Sequence, residues 1–355
     1  MENLESNKMK NSPIKTLLAS LIASTSLLNN VNAMEALPGT PPIPADNPMS
    51  AAKIELGKQL FFDPRLSIDG TISCNSCHNV MAGGTDNRDF SVGVAGQKGG
   101  RSAPTVWNSA FLSAQFWDGR AATLEDQAKG PILNPVEMGM PSEKFTVDRI
   151  KAIPGYVQSF KAVFGDKKDS VSYDNIAKAI ATYERTLITS NSSFDAYIRG
   201  DKTAMTETAI KGMKKVEALG CTSCHSGANF AGPELPIGEG FYQKFPSFPG
   251  SKFDKKYDLM ADEGRFEVTK DVSDKHMWRV PTWRNVALTA PYFHNGSVKT
   301  LDEAVRVMAK TQLDKKLSNK DVKEIVAFLN SLTGEFPAQT MPHLPDYANG
   351  TQVSP

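Results

Sequence analysis

The sequence is short of cysteine, of histidine and of any surplus charge, and each shortage narrows what the chain can do. Forty basic and 39 acidic side chains nearly cancel. Removing a leader of residues 1–33 takes away three lysines and two glutamates and leaves 37 of each sign. Net charge near zero gives no clustered basic face of the kind nucleic acid requires. No stretch alternates apolar and polar residues as a half-buried strand would, so the expected fold is mainly α. The apolar run from Leu17 to Leu28 is too short to span a bilayer. Preceded by Lys8, Lys10 and Lys15 and followed by Val31-Asn32-Ala33, it reads as the core of a signal peptide over residues 1–33, with an uncleaved anchor as the alternative. Export to the periplasm is therefore expected.

The four cysteines fall in two copies of one pattern, Cys74-Asn75-Ser76-Cys77-His78 and Cys221-Thr222-Ser223-Cys224-His225. A redox dithiol uses Cys-x-x-Cys but has no need of the histidine. A zinc site sharing all four thiols would leave both histidines idle. The pattern fits covalent haem c, with two thioethers to the porphyrin and the adjoining imidazole as an axial iron ligand. Two motifs imply two haems, one in each half of the chain.

The length suits two domains. We place an N-terminal haem domain at 34–188, a C-terminal haem domain at 189–335, and a tail at 336–355 that packs back on the first domain. Helices are expected from Ser50 to Asp63, from Ser172 to Leu187, from Ala204 to Leu219, and from Ser318 to Leu332, the last with a Ser318/Asp321 capping pair. A helix followed by Cys-x-x-Cys-His occurs twice, the mark of a diverged internal duplication. Haem would replace much of the hydrophobic core that each small domain otherwise lacks. The glycine-rich segment after the first motif is a long loop, and Pro233 to Gly250 reads as irregular.

Two haems alone make an electron carrier; an enzyme needs one iron with an accessible face. The runs Leu56-Gly-Lys-Gln-Leu-Phe-Phe-Asp-Pro-Arg-Leu-Ser67, Ser102-Ala-Pro-Thr-Val106, Gln115-Phe-Trp-Asp-Gly-Arg120, Leu124-Glu-Asp-Gln-Ala-Lys-Gly-Pro131 and Arg284-Asn-Val-Ala-Leu-Thr-Ala-Pro-Tyr-Phe-His294 together resemble the bacterial dihaem cytochrome c peroxidases. The resemblance covers nearly all of the chain after the leader. It implies two cytochrome c-like domains and a periplasmic, dimeric enzyme. Such an enzyme reduces hydrogen peroxide with electrons from a small c-type cytochrome or blue-copper protein.

Carried over by the resemblance, His78 is the proximal ligand of the peroxidatic haem. His225 and Met308 are the ligands of the electron-receiving haem, and a thioether ligand raises the potential as an electron store requires. The face shared by Leu301, Ala304, Val305 and Met308 agrees with an inward thioether. Glu137 becomes the proton-moving carboxylate over the peroxidatic iron, Gln127 the amide beside it, and Trp117 the bridge between haems. Read without the resemblance, Glu137 and Gln127 are ordinary surface residues and Trp117 is core. A calcium ion is implied between the domains, on the carbonyls of Thr289 and Pro291. Ser102 stands where the family usually has asparagine.

One departure matters. The family's loop after the first motif carries a histidine that caps the peroxidatic iron at rest; here the matching residue is Val94, which cannot bind iron. The expectation is an open peroxidatic haem even when fully oxidised. His276 is the one remaining histidine able to substitute, since His294 matches a position at the haem edge. Two other readings stand beside the peroxidase: a non-catalytic dihaem shuttle, and the related dihaem enzyme that matures tryptophan-derived quinone cofactors. The latter has tyrosine where this chain offers Met308.

Overall fold

The computed structural model describes residues 34–347, so the leader expected at 1–33 lies outside the described residues. In chain order the helices are α1 (Ala51–Phe62), α2 (Cys74–Cys77), α3 (Leu124–Leu133), α4 (Glu143–Lys151), α5 (Pro154–Phe164), α6 (Tyr173–Glu184), α7 (Ser193–Ile198), α8 (Glu207–Leu219), α9 (Lys252–Lys256), α10 (Phe266–Thr269), α11 (Leu301–Leu313) and α12 (Asn319–Ser331). Side-chain caps fix where several of them start. Ser50 accepts from the Lys53 amide and Ser172 from the Asn175 amide, while Ser318 and Asp321 cap each other's backbone. The helix expected from Ala204 begins at Glu207 instead, because Thr206 is extended and its hydroxyl accepts from the Ala209 amide. Strand is not wholly absent: β1 (Tyr242–Lys244) pairs antiparallel with β2 (Met277–Arg279). These three-residue strands are too short to leave an alternating pattern, and β1 lies in the stretch expected to be irregular.

Two helix crossings organise the cores. In the first half α1 lies on α6, burying Leu56, Leu60 and Phe61 against Ile176, Ile180 and Tyr183. In the second half α8 lies on α12, with Val216 packed among Ile325, Phe328 and Leu329. Each buried Leu, Ile or Phe contributes about 1.5–3 kcal/mol. A glycine sets the approach in both: a β-carbon on Gly57 would overlap the Ala179 carbonyl, and one on Gly212 the Glu324 carbonyl. Gly57→Ala should therefore destabilise by about 1–3 kcal/mol through overpacking, although alanine is the better helix former by about 1 kcal/mol. Thermal unfolding of the holoprotein measures it; an unchanged or raised Tm would refute the close-approach account.

The duplication extends well beyond the haem motifs. Asn108 and Asn285, 177 residues apart, are both left-handed at φ 61° and 59°. Their amides donate to the Leu187 and Leu332 carbonyls at 2.8 and 3.2 Å. Each opens a 3-10 turn (Ser109–Phe111, Val286–Leu288). A bridged loop follows, Gln115 with Ala121 and Tyr292 with Val298, and then a threonine-capped helix, α3 after Thr123 and α11 after Thr300. The fold is mainly α, with two cytochrome c-like domains.

The segment around Thr189 is buried. Thr189 Oγ1 accepts from both Asn108 Nδ2 (2.8 Å) and Asn285 Nδ2 (2.9 Å), joining the equivalent asparagines of the two halves. Of the tail, residues 336–347 lie along the first half, where Phe336 packs edge-on against Trp107 and Arg65 donates to the Pro345 carbonyl at 2.8 Å. The arm before α1 reaches the second half. There Leu37 N donates to Asp195, which also forms a fully buried ion pair with Arg284 at 2.8 Å.

Candidate functional site

A cavity of about 580 Å³ opens beside the first cysteine motif. Cys77, His78, Gln127, Glu137 and Trp117 all line it, brought together from α2, the 99–121 loops, α3 and the turn after α3. Gln127 and Glu137 are thus not surface residues. Glu137 Oε1 accepts from Asn134 Nδ2 at 2.9 Å. Burial raises its pKa above the ordinary carboxylate value, opposed by the charge of Arg120 and by the Asn134 bond. A carboxyl so raised is better placed than an ordinary one both to accept and to donate a proton.

His78 is aimed by its backbone setting. Its Nδ1 lies 2.9 Å from the Pro104 carbonyl, which leaves Nε2 as the nitrogen available to a metal. Burial lowers its pKa, so the ring is the neutral imidazole that ligation needs. His225 repeats the arrangement with Nδ1 3.1 Å from the Phe230 carbonyl and a stacked Trp283 at 4.3 Å; burial lowers its pKa to about 4.

The surroundings of the thiols disfavour the dithiol reading. Burial raises Cys74 well above the usual thiol range and pushes Cys77 and Cys221 up to about 11, whereas a redox-active dithiol needs a stabilised thiolate. Among the described residues no three His, Cys, Asp or Glu side chains gather as a metal cluster.

The cavity fits a large, partly polar guest. Ser91 Oγ, Ser109 Oγ, Glu184 Oε2 and His294 Nε2 are buried without a hydrogen-bond partner, and all four residues line it. Buried polar atoms are seldom left so. A haem held through Cys74, Cys77 and His78 fits this space.

Trp117 donates from Nε1 to the Ser102 carbonyl at 2.8 Å. It lines the cavity and also packs, as does Met308 of α11, on the apolar cluster that includes Trp278, Tyr292 and Val307. Met308 is half-buried there and takes no part in the first cavity. The residues marked for calcium are only partly gathered. Ser102 lines the cavity, but its hydroxyl donates to the Arg88 carbonyl at 3.2 Å. Thr289 closes the Val286–Leu288 turn, with Pro291 two residues on, and neither lines the cavity.

Val94 is only 4 % exposed, and its amide donates to the Glu137 carbonyl at 2.9 Å. Gly93 lets the loop lie this close, since a β-carbon there would strike the backbone of Val136 and Glu137. The Val94 side chain turns toward Gly139, away from the cavity. His276 is pinned elsewhere, with Nδ1 3.1 Å from the Asp262 carbonyl.

Sequence reasoning missed two cavity residues, Pro131 and Glu184, and gave His294 only a place at the haem edge. Pro131 stands 177 residues before Met308, so the duplicated helix puts a ring with no donor atom where the other half has a thioether. The same offset relates Trp117 to His294. His294 stacks on Trp278 at 4.1 Å and is kept neutral by burial, its pKa pushed down to about 4. Glu184, on α6, was hidden among apolar neighbours.

Comparison with known proteins settles the family. The description "Di-haem cytochrome c peroxidase" matches residues 51–203. A cytochrome c551 peroxidase of Pseudomonas aeruginosa is 47 % identical over 84 % of this chain and 83 % of its own length. The chain belongs to the di-haem cytochrome c peroxidase family. A second cytochrome c551 peroxidase, from Nitrosomonas europaea, is 42 % identical over 96 % of this chain and 98 % of its own. Among solved structures, a MauG-like protein associated with microbial copper homeostasis superposes with a TM-score of 0.73 at 30 % identity, covering 84 % of this chain and 94 % of that one. The chain is thus an enzyme of the cytochrome-c peroxidase type, a family that implies two haem c groups. No helix among the described residues is long and apolar enough to cross a membrane.

Proposed function

We propose that the enzyme is a periplasmic peroxidase that reduces hydrogen peroxide to two waters, taking two electrons from a small c-type cytochrome or cupredoxin and two protons from solvent, without prior reductive activation. The observation that carries this reading is one shared cavity: Glu137 and Gln127 line it together with His78, while Val94 is folded away from it and Pro131 offers no ligand. Bound haem would supply the iron at which the O–O bond breaks and the store of electrons for it. Cys74, Cys77 and His78 would hold the peroxidatic haem; Cys221, Cys224, His225 and Met308 would hold the other.

Glu137 takes the proton from the near peroxide oxygen and returns it to the departing one. The Gln127 amide orients the peroxide and the water formed from it. Trp117 lies between the cavity and the Met308 cluster, where its π system shortens the path for an electron. Met308, in place of tyrosine, favours the peroxidase over the quinone-maturing branch. A homodimer is part of the same proposal.

Peroxide consumption by fully oxidised and by half-reduced holoprotein tests the open site. Equal rates without a lag are expected. A lag in the oxidised form, abolished by one-electron reduction, would mean that some residue does cap the iron.

Calcium belongs to the proposal in weaker form. Two carbonyls and a hydroxyl, whose lone pairs stay free while it donates to the Arg88 carbonyl, give a site with no carboxylate. Dialysis against EDTA should therefore lower activity readily and added calcium restore it, with Ser102→Asn retaining the ion at lower free calcium. Indifference of both proteins to EDTA would remove the ion from the account.

A further inference from the structure

We propose that Glu184 is a proton carrier linked to the redox state of the peroxidatic haem. It would take a proton from solvent when that haem gains an electron from the donor protein, and release it when the electron leaves. The inference rests on the reading that a haem occupies the cavity beside Cys74.

The duplication first singles out this residue. Ala179 and Tyr183 meet Gly57 as Glu324 and Phe328 meet Gly212, and Leu187 receives Asn108 as Leu332 receives Asn285. The register is thereby fixed at 145 residues, and the counterpart of Glu184 is Leu329. Leu329 is a buried core residue; Glu184 is buried equally, at 5 % exposure. The peroxidatic half thus keeps a carboxyl where packing alone is satisfied by leucine.

That carboxyl has no structural duty. Oε2 is buried without a hydrogen-bond partner while the residue lines the cavity. The charged neighbours are otherwise engaged. Arg185 is bidentate with Glu125 of α3 at 2.7 and 3.0 Å. Lys53 of α1 is spent on Asn47 and the Pro48 carbonyl. Cys74 of α2 loses its ionisable thiol once joined to haem, and Ser109, which lines the same cavity, is uncharged.

An unpaired carboxylate is costly in such a place. With a neutral haem site the group therefore keeps its proton, burial and Glu125 outweighing Arg185 and pushing its pKa up to about 8. A ferric haem adds one positive charge nearby and favours the ionised form. Reduction removes that charge and the proton returns, so electron and proton enter together and the buried charge does not change.

Redox titration of each haem in the holoprotein from about pH 5 to about pH 9, paired with redox-difference infrared spectra, tests this. In the wild type the midpoint of the Cys74 haem should fall with rising pH at close to one proton per electron near neutrality. A protonated-carboxyl band should appear on reduction. Glu184→Gln and Glu184→Leu should flatten the slope for that haem and leave the Cys221 haem unaltered, with the band lost. A slope that survives in Glu184→Gln, a slope that vanishes in Glu137→Gln instead, or a wild type without the carboxyl band each overturns the proposal. Absence of peroxide turnover would count against the peroxidase reading alone.

Discussion

Glu137→Gln should lower kcat for peroxide by about 10²- to 10⁴-fold, the usual worth of a positioned proton-transfer group. The change is nearly isosteric, so the Asn134 contact, the Val94–Glu137 backbone bond and the cavity wall should persist. Only the ability to move a proton goes. The pH dependence supplies a second arm. To accept the peroxide proton the carboxyl must be ionised, and burial raises its pKa. Activity should therefore fall as pH drops through a value above the ordinary carboxylate range, and the glutamine variant should lack that limb. Stopped-flow mixing with peroxide, together with haem spectra showing both hemes intact, separates lost chemistry from lost cofactor. A variant that turns over peroxide within a few-fold of wild type would remove Glu137 from the reaction.

The sequence displayed its covalent chemistry openly and concealed its asymmetry. Two Cys-x-x-Cys-His motifs are legible because thioether formation and ligation demand those residues at that spacing, whatever the fold does around them. The capped helices over α1, α6 and α12 are legible too, since Ser50, Ser172 and Ser318 satisfy the first amides by local bonds. Glu184 was not, because the face formed by Ile176, Ile180 and Tyr183 reads as plain core. Only the packed structure shows a carboxyl among them with an unpaired oxygen. Gln127 and Glu137 are polar residues whose burial depends on loops distant in sequence, so their gathering around His78 followed from the resemblance and not from local pattern. Pro131 could have been found by aligning the chain with itself at an offset of 177.

Pro131→Met tests the meaning of that offset and should abolish peroxide turnover by a different route. Thr123 and Thr300 cap α3 and α11 at equivalent positions, so residue 131 occupies on α3 the place that Met308 occupies on α11. A methionine there would project into the cavity from the same wall as Gln127. The helix should accept it, because proline in a helix interior removes an amide donor and costs about 3 kcal/mol. The Asn134 amide already bonds to the Gly130 and Pro131 carbonyls, which the substitution keeps. On the ligation proposed above, a thioether on that face would give both irons the same axial pair, converting the enzyme into the dihaem shuttle that the motifs alone would have allowed. Its first haem should become low-spin, and its potential should rise toward that of the second. Electron paramagnetic resonance and redox titration of the variant read both effects. Two unlike haems in Pro131→Met, with peroxide turnover intact, would show that the duplicated helices do not present residues 131 and 308 to their irons in the same way. The proposed open site would then need a cause outside α3.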